Sequence, residues 1–180
     1  MIILGIDAAS KSASAALVAG ESGKVLGEVF YDNGLTHSQT LLPAIDEVVR
    51  VAGIAKTEID LVSVTRGPGS FTGLRIGLAT AKGIAFARNL PCAGVSSLEA
   101  LAYQVRGLFE GIVVCAFDAR RSQVYAASFR LSGEKIQRLD DDQALPASEL
   151  MGRLSAYEQP ILLLGDGSSL CYNEKESEDV

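Results

Sequence analysis

A glycine-rich turn in the middle of the chain carries the clearest signal for chemistry. Gly67 and Gly69 flank Pro68. Ser70 follows, just before a run of helical composition, Phe71–Arg88. Glycines let a backbone approach a ligand closely, and the free N–H groups at a helix start favour anions. The spacing fits neither a Walker loop nor the dinucleotide fingerprint. Two interpretations are open: a phosphate cradle, or a tight turn that packs a glycine-faced helix against a neighbour.

Three aspartates stand where α/β proteins place carboxylates that act on ligands, after apolar segments that read as strands. Asp7 and Asp118 each end such a run, and Asp166 lies between Gly165 and Gly167. The alternative for each aspartate is a side chain that hydrogen-bonds the backbone of its own turn. Both roles stay open for Asp7, whereas the turn role is preferred for the other two.

Histidine and cysteine usage excludes several kinds of site. His37 is the single histidine, so a metal site built on two histidines is excluded within one chain. Cys92, Cys115 and Cys171 lack the paired spacing of a zinc site or a disulfide framework. The Gly-x-Ser-x-Gly elbow of many serine hydrolases is missing as well. We therefore expect no metal, cysteines that act as small apolar fillers, and a polar contact for His37 at the start of a helix.

The composition predicts a folded, acidic protein of the cytoplasm. Hydrophobic residues make up 48% of the chain, and the formal net charge is -6. Proteins that hold RNA alone usually carry a basic patch, and no run of Lys or Arg is present, so direct RNA binding by this chain alone is not expected. No apolar segment reaches the roughly 18 residues that span a membrane, and no basic segment of a signal peptide precedes Ile2.

Hydrophobic patterning predicts alternating strands and helices. Ile2–Asp7 and Lys24–Tyr31 read as strands, and Leu41–Ala52 has the apolar spacing of a helix. Because Pro43 belongs near a first turn, this helix is expected to start at Ser38 to Thr40. The other expected elements are strands at Ser12–Val18, Leu61–Thr65, Ile112–Asp118 and Ile161–Leu164, helices at Phe71–Arg88 and after a cap at Ser96 or Ser97, and a polar tail at Asn173–Val180.

A stripe of small residues and an internal repeat add detail. Every fourth residue from Gly73 to Ala85 is Gly or Ala, which lets another element come close; most of this stripe is expected in the core, and any exposed remainder would meet a partner. Asp7-Ala8 aligns with Asp118-Ala119, and Ala15-Ala16 aligns with Ala126-Ala127 at the same offset. The repeat predicts two lobes that open with the same strand–turn–strand unit.

Together these motifs resemble the TsaB family, whose older names are YeaZ and glycoprotease-like protein. The run from Gly67 to Arg75 is highly specific for this family and its TsaD relatives. The matching segments, in order through nearly the whole chain, are Ile3–Asp7, His37-Ser38, Leu41-Leu42-Pro43, Arg66–Gly77, Ala81-Lys82-Gly83, Ser96–Leu101, Asp118–Arg121, Val124-Tyr125 and Gly165-Asp166-Gly167.

The resemblance implies an α/β fold of the actin-like/sugar-kinase-like (ASKHA, ribonuclease H-like) type, with two duplicated lobes. Residues 1–105 would form an N-terminal lobe with partner-binding helices, and residues 106–180 a C-terminal lobe that is expected to continue with further elements. A vestigial nucleotide site would comprise Asp7, Gly67, Gly69, Ser70, Gly165 and Gly167. A partner interface on the helices at Leu35–Ala52 and Thr72–Arg88 would comprise His37, Leu41, Leu42, Ile45, Thr72, Ile76 and Thr80.

The resemblance also implies a function. TsaB-like chains are expected to be non-catalytic scaffold subunits of the complex that forms N6-threonylcarbamoyladenosine in tRNA. They pair with the catalytic TsaD and the TsaE ATPase, form homodimers in isolation, and meet tRNA only through the complex. TsaC supplies the threonylcarbamoyl-adenylate. TsaD binds a metal through a His-x-x-x-His pair, which this sequence lacks.

Two alternatives accompany this expectation. One is an active ATP-dependent phosphotransferase of the same fold, and the other is the protease of the older name. Ala8-Ala9-Ser10 replaces the usual Thr/Ser-rich turn after Asp7, which weakens any grip on phosphate. No cofactor is therefore expected to be required, with at most weak binding of ATP or ADP.

Overall fold

The chain folds into two compact units, residues 1–95 and residues 96–180. The computed structural model describes the backbone of residues 1–178 and the side chains of residues 1–173. Each unit is built on its own five-stranded sheet. Hydrophobic core clusters lie on one face of the first sheet and on both faces of the second.

The first unit has the sheet order β3-β2-β1-β4-β5. Antiparallel pairing joins the first three strands, as expected for a meander, and β4 lies parallel to β1. Its elements are β1 (Ile2–Asp7), β2 (Ala13–Ala19), β3 (Lys24–Tyr31), α1 (His37–Ala52), β4 (Ile59–Gly67), α2 (Phe71–Arg88) and β5 (Cys92–Ser96), with a 3-10 turn at Lys56–Glu58.

Helix α1 begins one residue before the expected range. Its N-cap is Thr36, whose N–H donates to Oε1 of Gln39 at 3.3 Å, and its end is set by Gly53 at φ 64. Pro43 therefore lies inside the helix rather than in its first turn. The start is thus near the expected range, but the expectation that Pro43 belongs to the first turn is wrong, because tertiary packing of the apolar face outweighs the one backbone bond that proline cannot make.

Helix α2 packs through its small-residue stripe. Its buried positions are the four predicted residues, Gly73, Gly77, Ala81 and Ala85. A Cβ added to Gly77 would lie 3.2 Å from Cβ of Ala8. The interpretation of the stripe as intramolecular core is confirmed for these four positions.

The second unit has the sheet order β10-β6-β7-β8, with β9 paired to β7. Strand β6 is buried on both faces, since Val113 and Cys115 pack with α3 while Ile112 and Val114 join the cluster that includes α4. Its elements are α3 (Ser97–Tyr103), β6 (Gly111–Arg120), β7 (Gln123–Ser132), β8 (Lys135–Arg138), β9 (Gln143–Pro146), α4 (Ala147–Leu154), β10 (Ile161–Leu164) and α5 (Ser168–Glu178).

Two features of the second unit differ from the sequence-based expectations. Helix α3, assigned to residues 1–105 as part of the first lobe, belongs to the second unit because Leu98 and Ala102 pack beneath β6 and β7. Its cap is Ser96, whose Oγ accepts from the N–H of Glu99 at 3.2 Å. Helix α5 covers most of the expected polar tail, and residues 179–180 lie outside the described part of the chain.

The two units share a topology. Each opens with an antiparallel hairpin, β1–β2 or β6–β7, and places a later parallel strand, β4 or β10, beside the first. A glycine-containing loop and a helix follow that parallel strand in both units. The repeat seen in the sequence is therefore a duplication of this unit.

Candidate functional site

Asp7 is fixed by two hydrogen bonds to a single carboxylate oxygen. Its Oδ1 accepts from the Thr65 hydroxyl at 2.6 Å and from the N–H of Ala9 at 3.1 Å. The second bond closes the turn that follows β1, so the turn role of Asp7 is present. Oδ2 takes no hydrogen bond from the described residues, so its capacity to accept one is unused within that part of the chain.

The glycine-rich loop lies directly against the turn after β1. A Cβ at Gly69 would overlap the carbonyl oxygen of Ala9, and a Cβ at Gly73 would overlap that of Ala8. Both alanine side chains are buried. Packing therefore explains why both positions are glycine, since any side chain at Gly69 or Gly73 would push the loop away from the turn.

Two N–H groups of the glycine-rich loop donate hydrogen bonds to acceptors within the chain. Ser70 donates its N–H to the carbonyl of Ala9 at 2.7 Å, and its Oγ accepts from the N–H of Gly73 at 3.2 Å. The second bond is a helix N-cap. Two of the donors that a phosphate cradle would present thus have acceptors within the chain. This arrangement supports the packing interpretation of the loop over the phosphate interpretation.

His37 ties the start of α1 to the same region. Its Nε2 bonds the carbonyl of Ser12 at 3.1 Å, which requires a proton on Nε2 because a carbonyl only accepts. A Cβ at Gly73 would lie 3.2 Å from Cε1 of His37. The ring thus occupies the space that the glycine leaves, and the expected polar contact at the helix start is confirmed.

The second unit repeats this loop geometry with its own residues. A Cβ at Gly165 would overlap the carbonyl oxygen of Ala116, and Gly167 donates its N–H to that carbonyl at 3.0 Å. Asp118 accepts from the N–H of Arg120 at 2.6 Å, the turn role preferred for it. Asp166 accepts from the N–H of Asp118 at 3.1 Å instead of bonding its own turn.

The predicted partner interface divides into exposed and buried residues. Leu41 and Ile45 are 1% and 5% exposed and belong to the core of the first unit, because they lie on the inward face of α1. They are removed from the predicted surface. Ile76 packs partly against the same core, and Thr80 is half-buried.

Exposed apolar residues remain on both helices. Leu42 on α1 is 55% exposed, while Phe71 and Phe86 on α2 are 74% and 90% exposed, and Thr72 is exposed beside them. The guanidinium of Arg75 lies over the Phe71 ring at 5.0 Å. We call Leu42, Phe71 and Phe86 the helix surface. Neither phenylalanine was predicted as part of the partner interface, although their position opposite the Gly/Ala stripe was visible at helical spacing.

Elsewhere in the second unit, a charged cluster surrounds Arg138. Its guanidinium bonds Asp142 at 2.8 Å and Glu99 at 3.2 Å. Burial alone would lower the pKa of Arg138, but the bonds to these carboxylates raise it. Burial also raises the pKa of the nearby Cys115 thiol to about 12. The cluster links β8 to α3 and needs no ligand to be satisfied.

Other kinds of site find no support in the part of the chain that the structure describes. No group of three or more His, Cys, Asp or Glu residues there has the arrangement of a metal site. None of the helices in that part combines the length and apolar character needed to cross a membrane. A cavity between β7, β9 and α4 is lined by Ser128, Asp140 and Arg153 among others, and includes none of the predicted site residues.

Comparison with known proteins decides the family. The family model described as "TsaD: tRNA N6-adenosine threonylcarbamoyltransferase" matches residues 31–170. The tRNA threonylcarbamoyladenosine biosynthesis protein TsaB of Bacillus subtilis is 32% identical over 180 residues, which is 100% of this chain and 76% of that protein. The chain belongs to the TsaB family.

Further matches support the family and its fold. The TsaB of Escherichia coli is 34% identical over 154 residues, covering 84% of this chain and 64% of that protein. YeaZ from Pseudomonas aeruginosa has a TM-score of 0.77 at 24% identity, covering 99% of this chain and 93% of that one. A ROK hexokinase from Thermus thermophilus has a TM-score of 0.50 at 11% identity, covering 98% and 88%. The ASKHA-type fold expected from the sequence is confirmed.

The glycine-rich motif that is typical of the TsaB family has a packing role in this chain. The Gly67–Arg75 motif that identified the family is the segment that packs on Ala8 and Ala9. In this chain, therefore, the motif has an architectural role at the start of α2. The site residues of the second unit, Gly165 and Gly167, have the corresponding role at the end of β6.

Proposed function

We propose that this chain is a non-catalytic scaffold subunit of the complex that forms N6-threonylcarbamoyladenosine in tRNA. The observation that carries the proposal is the 32% sequence identity, over all 180 residues given, to a Bacillus subtilis protein named for that biosynthesis. The catalytic partner would be a TsaD-family subunit and the ATPase partner TsaE. The match to the TsaD family model supports common ancestry with the proposed partner.

The helix surface is the proposed contact with TsaD. Large exposed aromatic side chains are enriched at the centres of protein interfaces, and Phe71 and Phe86 are the most exposed large apolar residues of the first unit. Between them the outward face of α2 carries Ala79 and Gly83, which allow a partner helix to approach closely. In isolation, the same surface would mediate self-association into a homodimer.

The scaffold role is supported by the hydrogen bonds that the glycine-rich loop makes within the chain. Ser70 and Gly73 already bond within the chain, and Ala8-Ala9 offers no side-chain donor to a phosphate. We propose that the chain requires no cofactor and that ATP or ADP binds weakly. The observation that favours the competing function, an ATP-dependent phosphotransferase, is that Oδ2 of Asp7 accepts no hydrogen bond from the described residues.

The proposal is tested by leaving the chain out of a reconstituted reaction. Purified TsaC, TsaD and TsaE are given tRNA, threonine, bicarbonate and ATP, with and without the chain, and the modified adenosine is quantified. Product that requires the chain supports the proposal. Equal product in both arms, with every component shown active using a known TsaB, contradicts it.

A further inference from the structure

The turn between β6 and β7 breaks a local rule of hairpin design. Arg120 pairs with Gln123, so Arg121 and Ser122 form a two-residue loop. Such loops favour Asn-Gly because both central residues take positive φ. Here Arg120, Arg121 and Ser122 have φ values of 67, 54 and 59, and none is glycine. Three successive side chains thus occupy a backbone region that L-residues disfavour.

The side chains of the two arginines in this turn are exposed and have no partner among the described residues. Both are exposed, and neither guanidinium has an ion pair or hydrogen bond with any described residue. By contrast, Arg50, Arg106 and Arg153 each pair with a glutamate. Strained backbone that keeps unpaired charged side chains is more typical of binding sites than of turns that only connect strands.

The backbone of the turn is held by hydrogen bonds on both sides. The carboxylate of Asp118 accepts from the N–H of Arg120 at 2.6 Å, and the carbonyl of Ser122 accepts from the N–H of Ala147 at 3.0 Å. Asp118 in turn donates its own N–H to Asp166 at 3.1 Å. The backbone of a turn fixed in this way needs no ordering at the moment of binding, although the two arginine side chains still lose rotamer freedom.

We propose that Arg120 and Arg121 contact the phosphodiester backbone of the substrate RNA in the assembled complex, an inference that rests on the proposed function. Guanidinium groups match the oxygens of phosphate in a two-bond geometry. Two adjacent arginines on an exposed turn suit successive phosphates of one strand. Because the chain carries a net charge of -6, these contacts would add to those of the partner rather than hold RNA alone.

The surroundings favour a phosphodiester over a nucleotide. The carboxylates of Asp118 and Asp166 lie at the same turn, and they repel a di- or triphosphate more strongly than a diester with a single negative charge. The turn also lies outside the lining of the cavity between β7, β9 and α4, which could enclose a small ligand. An extended strand of RNA needs no such enclosure.

The first test measures tRNA binding by the complex of this chain with TsaD over a series of salt concentrations. The variant R120Q/R121Q is expected to bind roughly tenfold more weakly, and its salt slope should fall by roughly one for each phosphate that it no longer neutralises. R130Q/K135Q removes the same charge from two other exposed residues of the same unit and is expected to bind as the wild type does.

A second variant separates binding from folding. R121N/S122G installs the preferred Asn-Gly turn, so its melting temperature should rise while tRNA affinity falls. Unchanged affinity and salt slope in both turn variants, in a complex that still forms product, would overturn this inference alone. Weakened binding to TsaD rather than to tRNA would also overturn it, and a complex that never assembles would remove the proposed function with it.

Discussion

The Thr65 hydroxyl donates a 2.6 Å hydrogen bond to Oδ1 of Asp7, and this bond joins the ends of two adjacent parallel strands. Thr65 is buried and Asp7 is half-buried, so water has limited access to the bond. The same oxygen accepts from the N–H of Ala9. The carboxylate at the end of β1 is therefore positioned by hydrogen bonds within the chain.

The substitution Thr65→Val should destabilise the protein by about 0.5–1.5 kcal/mol, because it removes one of the two donors to the half-buried carboxylate of Asp7. Thr80→Val is the matched control, since Thr80 is half-buried and its hydroxyl makes no hydrogen bond with the described residues. Urea denaturation of both variants measures the free energy of unfolding. Equal effects of the two substitutions would show that the Thr65–Asp7 bond contributes nothing.

Gly73→Ala should destabilise the protein by about 1–3 kcal/mol, since the new methyl group meets the carbonyl of Ala8 and the ring of His37. Gly83→Ala, in the same helix, places its Cβ in open space and should stabilise by about 0.5–1 kcal/mol through helix propensity. Opposite signs in thermal unfolding are the expected result. A stable Gly73→Ala would mean that the loop does not pack on the turn as described.

The sequence predicted those parts of the fold that depend on local pattern. The bounds of β1, β3, α2 and β10 agree with the structure because apolar runs and glycine or proline boundaries mark them. The end of α1 at Ala52 was also found, and the structure decides for Ser96 between the two cap residues that the sequence offered, Ser96 and Ser97. Helix α5 was missed because a polar, weakly amphipathic segment looks like a tail.

The sequence could not settle the role of the glycine-rich loop. Position 69 requires glycine because a Cβ there would overlap the carbonyl oxygen of Ala9. Ala9 is distant in the sequence, and only the fold brings the two residues together. The same holds for the interface: Leu41 and Leu42 are neighbours in the sequence, yet one is buried and the other exposed, because helix phase relative to the sheet decides between them. The nucleotide-site residues and the partner residues remain predictions.

The double variant L42E/F86E should weaken association with TsaD by roughly thirtyfold or more, because hot-spot residues cost about 2 kcal/mol or more when truncated. Both side chains are exposed, so the melting temperature should change little. L108E is the control: Leu108 is 82% exposed but belongs to the second unit. Calorimetric titration gives the dissociation constants. If L108E weakens binding as much as L42E/F86E, the helix surface does not bind TsaD.

Cys115 should make stability fall at alkaline pH. Burial raises the pKa of its thiol to about 12, whereas an unfolded thiol has a pKa of about 8.5. Between these values the unfolded chain loses the proton and the folded chain keeps it, so unfolding becomes more favourable as pH rises. Cys115→Ala should lose less stability than the wild type over that pH range. Identical pH dependence in the two proteins would contradict the assignment.

The same burial predicts thiol reactivity. In the native protein at pH 8, iodoacetamide should modify the exposed Cys92 and leave Cys115 unmodified, because only the thiolate attacks. Unfolding in urea should expose Cys115 to the reagent. Peptide mass spectrometry locates the modified residue, and rapid native labelling of Cys115 would show that β6 is not buried on both faces.

Formation of threonylcarbamoyladenosine with the Asp7→Asn chain distinguishes a scaffold, which is required without being a catalyst, from an active phosphotransferase. Asparagine keeps an oxygen acceptor for Thr65 but removes the carboxylate charge that phosphotransfer would need. Purified TsaC, TsaD and TsaE should form product with the Asp7→Asn chain at the wild-type rate, and none when the chain is left out. Loss of product with Asp7→Asn, in a complex that still assembles, would contradict the scaffold account and favour an active phosphotransferase.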